Sequence, residues 1–552
     1  MSQPSLESAT PTDTANEGHG VGGDRRALIA LGGVTLIAAL LRAWRMSDFW
    51  LSADEGIYYF STLCGWESAQ ELIHYHAHPP LYYWILYGLA RWNGDLQVLR
   101  MTSLVPGVLC VPAMYFLVRS LAGKRAALCS AFLVALSPGG LFLSQVIRPY
   151  SMQLLFLILG LAGLLRYLAS PRTRWLVLHS GALLIATLLH YSSLIVLAGV
   201  GVCLVGLVLW RKLDFRGACR LFAAQVPLLA SSVWLFVTHV RPSLMGSEHQ
   251  AFARETWLSR GFLDSPTQLW DTLVDLLVYL FGRPTDVALL AALPLGLMAC
   301  VKRRLGALLL FSCGTGATAL ALSFRDLYPL LGHRHCLYLL VVLAPLAGVG
   351  LEFLATMRER RMRVLALLLA LVMAAGIVQL PELLRRNWRS AERAPEYSAV
   401  EKVRAKLDSE ELSGGMILTD TATGVLLASL YEESREDYVP VNGGPVFALE
   451  VGGRRFHCLR NAFRLSADRA GREQAGHLER LLDELERLAD AGHIPALPER
   501  VWIVQTGYGQ QVQRVLPLTL PDGTFLRSWR IGAFSFSVIA LDRAAYRRYL
   551  EG

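Results

Sequence analysis

Residues 25–44 read Arg-Arg-Ala-Leu-Ile-Ala-Leu-Gly-Gly-Val-Thr-Leu-Ile-Ala-Ala-Leu-Leu-Arg-Ala-Trp. Two arginines precede an apolar run, 27–44, in which Arg42 is the one charged residue. As a helix this run is about 27 Å long, close to the ~30 Å hydrocarbon core of a bilayer. A cleaved signal peptide opens in the same way. Here no small-residue cleavage site follows before Arg45 and many more apolar runs come later, so the segment reads as a signal anchor. The paired arginines then hold the N-terminus in the cytoplasm. Residues 1–26, rich in Ser, Thr, Gly and Asp at the start, read as a disordered cytoplasmic leader.

Ten further runs follow the first, at 101–118, 126–144, 149–168, 175–190, 192–210, 218–238, 285–301, 305–323, 335–354 and 364–380. Two shorter stretches, 80–92 and 269–282, raise the total from eleven spans to thirteen. Both totals are odd, so everything after residue 380 lies on the far side from the N-terminus. With eleven spans the basic clusters fall on the cytoplasmic side, among them Arg119/Lys124/Arg125, Lys302/Arg303/Arg304 and Arg358/Arg360/Arg361/Arg363. Thirteen spans split the basic residues evenly, so the positive-inside rule favours eleven, with the two short stretches lying along the outer surface. Three regions then face outward: 45–100, 239–284 and 324–334.

Composition agrees with this division. The 552 residues are 53% hydrophobic and 18% charged, with a net charge of +9 and a mean hydropathy of +0.39. Residues 381–552 carry 23 basic and 24 acidic residues, a density usual for a globular domain, whereas residues 1–380 carry 30 and 20. The positive excess therefore belongs to the membrane body. Disordered, collagenous and disulfide-rich classes are excluded, and no basic cluster with interleaved aromatics points to nucleic acid. Most of the nine cysteines sit in apolar runs; Cys64 and Cys458 do not, and their pairing stays open. In the tail, helical patterns at about 396–412 and 468–492 alternate with strand-like runs at Met416–Thr419, Val501–Gln505 and Ser535–Leu541. The expected architecture is an α-helical polytopic membrane protein with a soluble C-terminal α/β domain over 381–552.

The first outer loop holds Trp50-Leu51-Ser52-Ala53-Asp54-Glu55-Gly56-Ile57-Tyr58-Tyr59. Adjacent carboxylates in a loop are ordinarily solvated charges. With aromatic and apolar flanks near a membrane surface, a carboxylate can instead serve as a general base. Adjacent helical positions diverge by about 100°, so one acid can face a reaction while the other fixes local structure. Further on stands His74-Tyr75-His76-Ala77-His78-Pro79-Pro80-Leu81-Tyr82-Tyr83-Trp84. The alternating histidines fit either a polar interfacial stretch or a metal site. His190-Tyr191 interrupts the apolar stretch 175–210 and could mark a turn at the outer surface or line the cavity, the turn being sufficient. The loop 239–284 carries His239, Arg241, Glu248, His249, Arg254, Glu255 and Trp257 and could cover an outer site.

Asp54-Glu55 followed by His78-Pro79-Pro80-Leu81-Tyr82 resembles the signature of the GT-C membrane glycosyltransferases, the relatives of protein O-mannosyltransferases and lipid A aminoarabinose transferases. Ser144-Gln145-Val146-Ile147-Arg148-Pro149-Tyr150 and Gly332-His333-Arg334-His335-Cys336-Leu337-Tyr338 fit the same pattern. The resemblance covers 27–380 in architecture and four short motifs in detail. It implies a polyprenyl-phosphate-linked sugar donor and chemistry on the outer face. Asp54 would deprotonate an acceptor hydroxyl, with Glu55 as the second acid and inversion at the anomeric carbon. Arg148 and Arg334, at outer ends of spans, are the candidates for holding the leaving phosphate; snorkelling to headgroups is the other reading of each. His78, Tyr58, Tyr59, Tyr82, Tyr150, His333 and His335 would line or support the site. No cofactor is required, although the clustered histidines leave room for a divalent metal.

The chain departs from the pattern in two places. Ser151-Met152-Gln153 follows Arg148 where the named branches carry a Leu-Asp pair, and Arg334 is followed by His335 where relatives often show tyrosine. The sugar is therefore left open, as is the acceptor, be it protein, lipid A, glycan or another lipid. Two rival classes remain. A polysaccharide ligase or polymerase would use a diphosphate-linked glycan. A transporter or flippase would place ionisable groups within its spans and often show repeats, which this chain does not. Nor is there a G-x-x-x-x-G-K-[ST] phosphate loop. The Arg/Leu/Ala-rich usage suggests a bacterial inner membrane.

Overall fold

The computed structural model describes residues 21–44, 46–48, 55–56, 58–59, 62, 66, 70, 79–241, 261–389, 402, 405–409, 412, 414–420, 446–451, 454–459, 483, 485–508, 525–531, 534–544 and 547–548. Asp54, Cys64 and His78, most of the leader, residues 242–260 of the outer loop and much of both helical stretches of the tail lie outside the described residues, as does the Cys458 side chain.

Each of the eleven apolar runs falls on a helix or a broken helix. In chain order the helices are α1 (Val21–Ala43), α2 (Leu81–Trp92), α3 (Leu96–Ala122), α4 (Lys124–Leu136), α5 (Pro138–Leu143), α6 (Tyr150–Ala169) and α7 (Thr173–Leu189). They continue with α8 (Ser193–Leu209), α9 (Phe215–Leu235), α10 (Gln268–Phe281), α11 (Thr285–Lys302), α12 (Gly306–Phe324), α13 (Leu340–Thr356) and α14 (Arg360–Arg389). Among the described residues, seven helices are long and apolar enough to cross a membrane by themselves, and α7 and α8 are shorter apolar helices. The protein is an integral membrane protein. The two short stretches of the sequence become α2 and α10, of 12 and 14 residues. At 1.5 Å per residue they are about 18 and 21 Å long, too short for the core.

The run 126–144 is broken because Pro138 has no N–H to give the Val134 carbonyl, its partner four residues back. Ser137 caps the new helix by accepting the Gly140 amide at 3.1 Å. The freed carbonyls are satisfied from another helix. Arg42 of α1, 1% exposed, donates to Val134 O at 3.1 Å and to Ala135 O at 2.9 Å. Gln145 in turn donates to the Arg42 and Trp44 carbonyls at 3.0 and 3.1 Å, closing the end of α1. Arg42, a lone charge in the first apolar run, is thus a bolt between α1 and the break in the fourth helix rather than a snorkelling end group.

Small residues bring other helices together. A Cβ on Gly350 of α13 would lie 2.1 Å from Ala292 O of α11, so only glycine permits this approach. At the end of the bundle holding the α1 N-terminus, Arg119 pairs with Asp24 at 3.1 Å, Arg303 pairs with Glu352, and Arg174 lies 4.8 Å over the Trp175 ring. The opposite end gathers the segment after α1, the turns at 144–149 and 190–192, and the stretch from 325 to 339.

The C-terminal region contains a mixed six-stranded sheet, β1 (Met416–Asp420), β2 (Val446–Val451), β3 (Arg454–Leu459), β4 (Arg500–Tyr508), β5 (Phe525–Ile531) and β6 (Phe534–Asp542), in the order β2-β3-β1-β4-β6-β5. The central strands β3, β1 and β4 are parallel, and the pairings outside them are antiparallel. The runs read as strands from the sequence are β1, β4 and β6. Leu418, Val501, Val504 and Val538 are fully buried, as expected of the middle of such a sheet.

Candidate active site

The site end of the bundle is organised around Glu55. Arg100, in the first turns of α3, donates from Nε to Glu55 Oε1 at 2.8 Å and from Nη2 to Oε2 at 2.9 Å. Its Nη1 donates to Met46 O at 2.9 Å, and the Ile147 amide donates to Glu55 Oε1 at 2.9 Å. One buried carboxylate therefore ties together the end of α1, the loop after it, α3, and the turn before α6. Asp95 starts α3 in register for this by accepting the Gln97 and Val98 amides. Of the two roles open to the acidic pair, Glu55 takes the one that fixes local structure.

The turn carrying Arg148 is fixed from the same helix. Ser103 donates to Arg148 O at 2.8 Å and accepts the Arg148 amide at 3.2 Å. Tyr82 reaches the Thr102 and Ser103 hydroxyls at 2.9 and 3.1 Å, so its hydroxyl is used within the α2–α3 contact. The Arg148 guanidinium, mostly buried, lies 5.1 Å over the Tyr58 ring. Tyr58 itself stacks on Tyr83 at 4.8 Å, and Tyr59 accepts the Thr62 hydroxyl through its carbonyl at 2.8 Å.

Tyr150, the first residue of α6, faces the turn between α7 and α8. Its ring centre lies 4.8 Å from that of His190 and 6.1 Å from that of His335. His335 is 6.0 Å from His190, 5.6 Å from His333 and 6.3 Å from Tyr328, whose hydroxyl donates to the His335 carbonyl at 3.1 Å. His333 stacks on Tyr279 of α10 at 6.4 Å. Arg334 opens a short 3-10 helix, Arg334–Leu339, that leads into α13. The approach to it packs tightly: a Cβ on Gly332 would come within 2.4 Å of Asp275 O on α10.

His190 ends α7 and is buried. Burial, together with the nearby charges of Arg148 and Arg334, pushes its imidazole down to about 3, so it is neutral at ordinary pH. The ring contacts bring together two segments far apart in the chain, since Tyr150 follows Arg148 by two residues and His335 follows Arg334. Among the described residues no group of three or more His, Cys, Asp or Glu could hold a metal ion. The arrangement sets tyrosine and histidine rings beside the segments that carry Arg148 and Arg334, a combination suited to an anion attached to an apolar or sugar group.

The structure brings Tyr58, Arg148, Tyr150, His333, Arg334 and His335 to one end of the bundle. Asp54 and His78 fall outside the described residues, and Tyr82 is committed to the α2–α3 contact. Arg100, Ser192 and Tyr328 escaped the sequence reading, whereas His190 was read there as a turn or a cavity lining. Arg100 carried a usable signal, being a basic residue within the loop 45–100 expected to face outward.

Residues 77–239 match the family model of dolichyl-phosphate-mannose-protein mannosyltransferases. No curated protein sequence matches the chain. Among solved structures, ArnT from Cupriavidus metallidurans in the apo state superposes with a TM-score of 0.53 at 16% identity, covering 95% of this chain and 99% of that one. The Archaeoglobus fulgidus oligosaccharyltransferase tethered with an acceptor peptide superposes with a TM-score of 0.50 at 14% identity, covering 86% and 69%. The fold is the GT-C fold anticipated from the motifs. The likeness to solved structures gives the fold, and the family match places residues 77–239 beside the mannosyltransferases.

Proposed function

We propose that the protein transfers one sugar from a polyprenyl-phosphate carrier to an acceptor hydroxyl on the extracytoplasmic side of a bacterial inner membrane. The observation that supports this reading is the meeting around His190 of Tyr150, two residues after Arg148, and His335, next to Arg334. The matched family, described by its dolichyl-phosphate-mannose donor, supports a lipid monophosphate.

In the proposed reaction, Asp54 takes the proton of the acceptor hydroxyl. The oxygen attacks the anomeric carbon, the bond from that carbon to the phosphate oxygen breaks, and its electron pair leaves with the lipid phosphate. Arg148 and Arg334 bind the charge that grows on the phosphate, an interaction stronger in the transition state than in the ground state. Attack from the face opposite the leaving group inverts the anomeric carbon. The buried Glu55–Arg100 pair holds the chain next to Asp54, so that base and phosphate site share one frame. The chain's own departures after Arg148 and Arg334 leave the sugar and acceptor to experiment.

The test is sugar transfer by the purified full-length protein from defined polyprenyl-monophosphate and polyprenyl-diphosphate donors. Transfer from a monophosphate donor is expected. Transfer from diphosphate donors alone would replace this reading with a ligase or polymerase.

A further inference from the structure

His190 lies in none of the motifs that carried the family resemblance, yet it sits where two of them meet. Its ring touches Tyr150, which follows Arg148 by two residues, and faces His335, which follows Arg334. Three bonds fix its tautomer. The Ser192 amide donates to Nδ1 at 3.2 Å, so Nδ1 is an acceptor. The Ser192 hydroxyl lies 2.9 Å from the same nitrogen, and the Gln153 side-chain amide donates to that hydroxyl at 2.8 Å. Because Nδ1 already accepts the Ser192 amide and carries no proton, the hydroxyl gives its own proton to Nδ1. Assigned from this network, the neutral ring carries its hydrogen on Nε2, on the side away from Ser192. Burial, aided by the charges of Arg148 and Arg334, keeps the ring from taking a second proton.

We propose that His190 is a third ligand of the donor phosphate, a neutral N–H donor beside the segments that carry the two arginines. This rests on the monophosphate-donor reading above and adds a binding role for a residue outside its motifs. A neutral donor differs from an acid: His190 binds the leaving phosphate and does not protonate it. Departing as a dianion between two arginines, the phosphate needs hydrogen bonds rather than a proton. Gln153 matters through Ser192 and His190. It stands in the segment where the named branches carry an acid, so this chain has an amide-hydroxyl-imidazole relay there instead.

The experiment measures binding of undecaprenyl phosphate and of undecaprenol to the full-length protein in detergent, for wild type, His190→Gln, His190→Phe and Ser192→Ala. His190→Phe keeps a ring and loses the donor; affinity for undecaprenyl phosphate should fall about ten- to a hundredfold, the usual effect of one hydrogen bond to a charged group. Undecaprenol binding should not change. His190→Gln, which keeps an N–H donor, should recover most of the affinity. Ser192→Ala leaves the imidazole in place, loosens its tautomer and should give a smaller loss, keeping the test open if His190→Phe fails to fold. Equal losses for the phosphate and the alcohol, or a His190→Gln no better than His190→Phe, would overturn the proposal. Transfer kinetics separate it from the parent reading. Phosphate-selective binding through His190 in a wild type that transfers no sugar from any monophosphate donor would sink the transfer reading alone.

Discussion

Arg100 holds Glu55 through two parallel hydrogen bonds, Nε to Oε1 at 2.8 Å and Nη2 to Oε2 at 2.9 Å, with both side chains almost wholly buried. Removing one partner of such a pair leaves an uncompensated buried charge and costs about 3–5 kcal/mol. Arg100→Ala and Glu55→Gln should therefore both lower the melting temperature of the purified protein and abolish transfer. Arg100→Lys, which cannot make the planar two-point contact, should fall between them and wild type. An Arg100→Ala variant with unchanged melting and activity would refute the structural role of the pair.

Asp54→Asn is expected to behave differently from its neighbour. Loss of a general base lowers transfer by about 10²–10⁴-fold. The melting temperature should stay close to wild type, since the frame is held by Glu55. Retention of full transfer in Asp54→Asn would refute the base assignment.

Arg148→Ala and Arg334→Ala should each reduce kcat/KM for the polyprenyl-phosphate donor while leaving KM for the acceptor nearly unaltered. Each arginine supplies charge-assisted bonds to one phosphate, so a loss of about 10²–10³-fold is expected, as for single donors to a developing anion. With two guanidinium groups available for one phosphate, chelation with EDTA should leave transfer unchanged. Loss of activity on chelation, restored by a divalent cation, would reverse that expectation.

Arg42→Ala should destabilise the protein with no effect centred on the donor site. The carbonyls of Val134 and Ala135 would lose their Arg42 hydrogen bonds, at about 2–5 kcal/mol in total for two buried acceptors. Replacing Pro138 with Ala in the same background restores an N–H at the break and should recover part of the loss. Thermal unfolding of the single and double variants measures both.

His190 links stability to pH. Its imidazole is held at about 3 in the folded protein, whereas the unfolded chain titrates near ~6.5. Its contribution is therefore full above about pH 6.5 and is lost progressively as the pH falls toward 3, because only the unfolded state takes up the proton in that window. Between about pH 7 and pH 5, the melting temperature of wild type should drop more than that of His190→Gln. Parallel curves would contradict the buried, neutral imidazole.

Each of the eleven apolar runs coincides with a helix or a broken helix, because bilayer thickness fixes the length of a span and leaves local sequence little freedom. Arg148 and Arg334 drew notice through the same expectation, as charges set against the sorting of the rest. Three strands of the C-terminal sheet were legible in the same way, from short apolar runs. Other features had no local signature. Arg42 is simply the one charged residue of the first run in the sequence, and its reach to carbonyls 92 and 93 residues away appears only in the fold. Glu55 and Asp54 are chemically equivalent as a sequence pair, and the sequence left open which of the two would fix local structure. The position of Arg100, 45 residues on, is what commits Glu55 to that task. His190 fitted a turn marker as well as a cavity lining, because its contacts with residues 150 and 335 are made by helix packing. Hydropathy and charge act along the chain or across the membrane plane, and the sequence determined what depends on them. Hydrogen-bond geometry between helices acts at distances of about 3 Å, and only the packed tertiary structure could decide it.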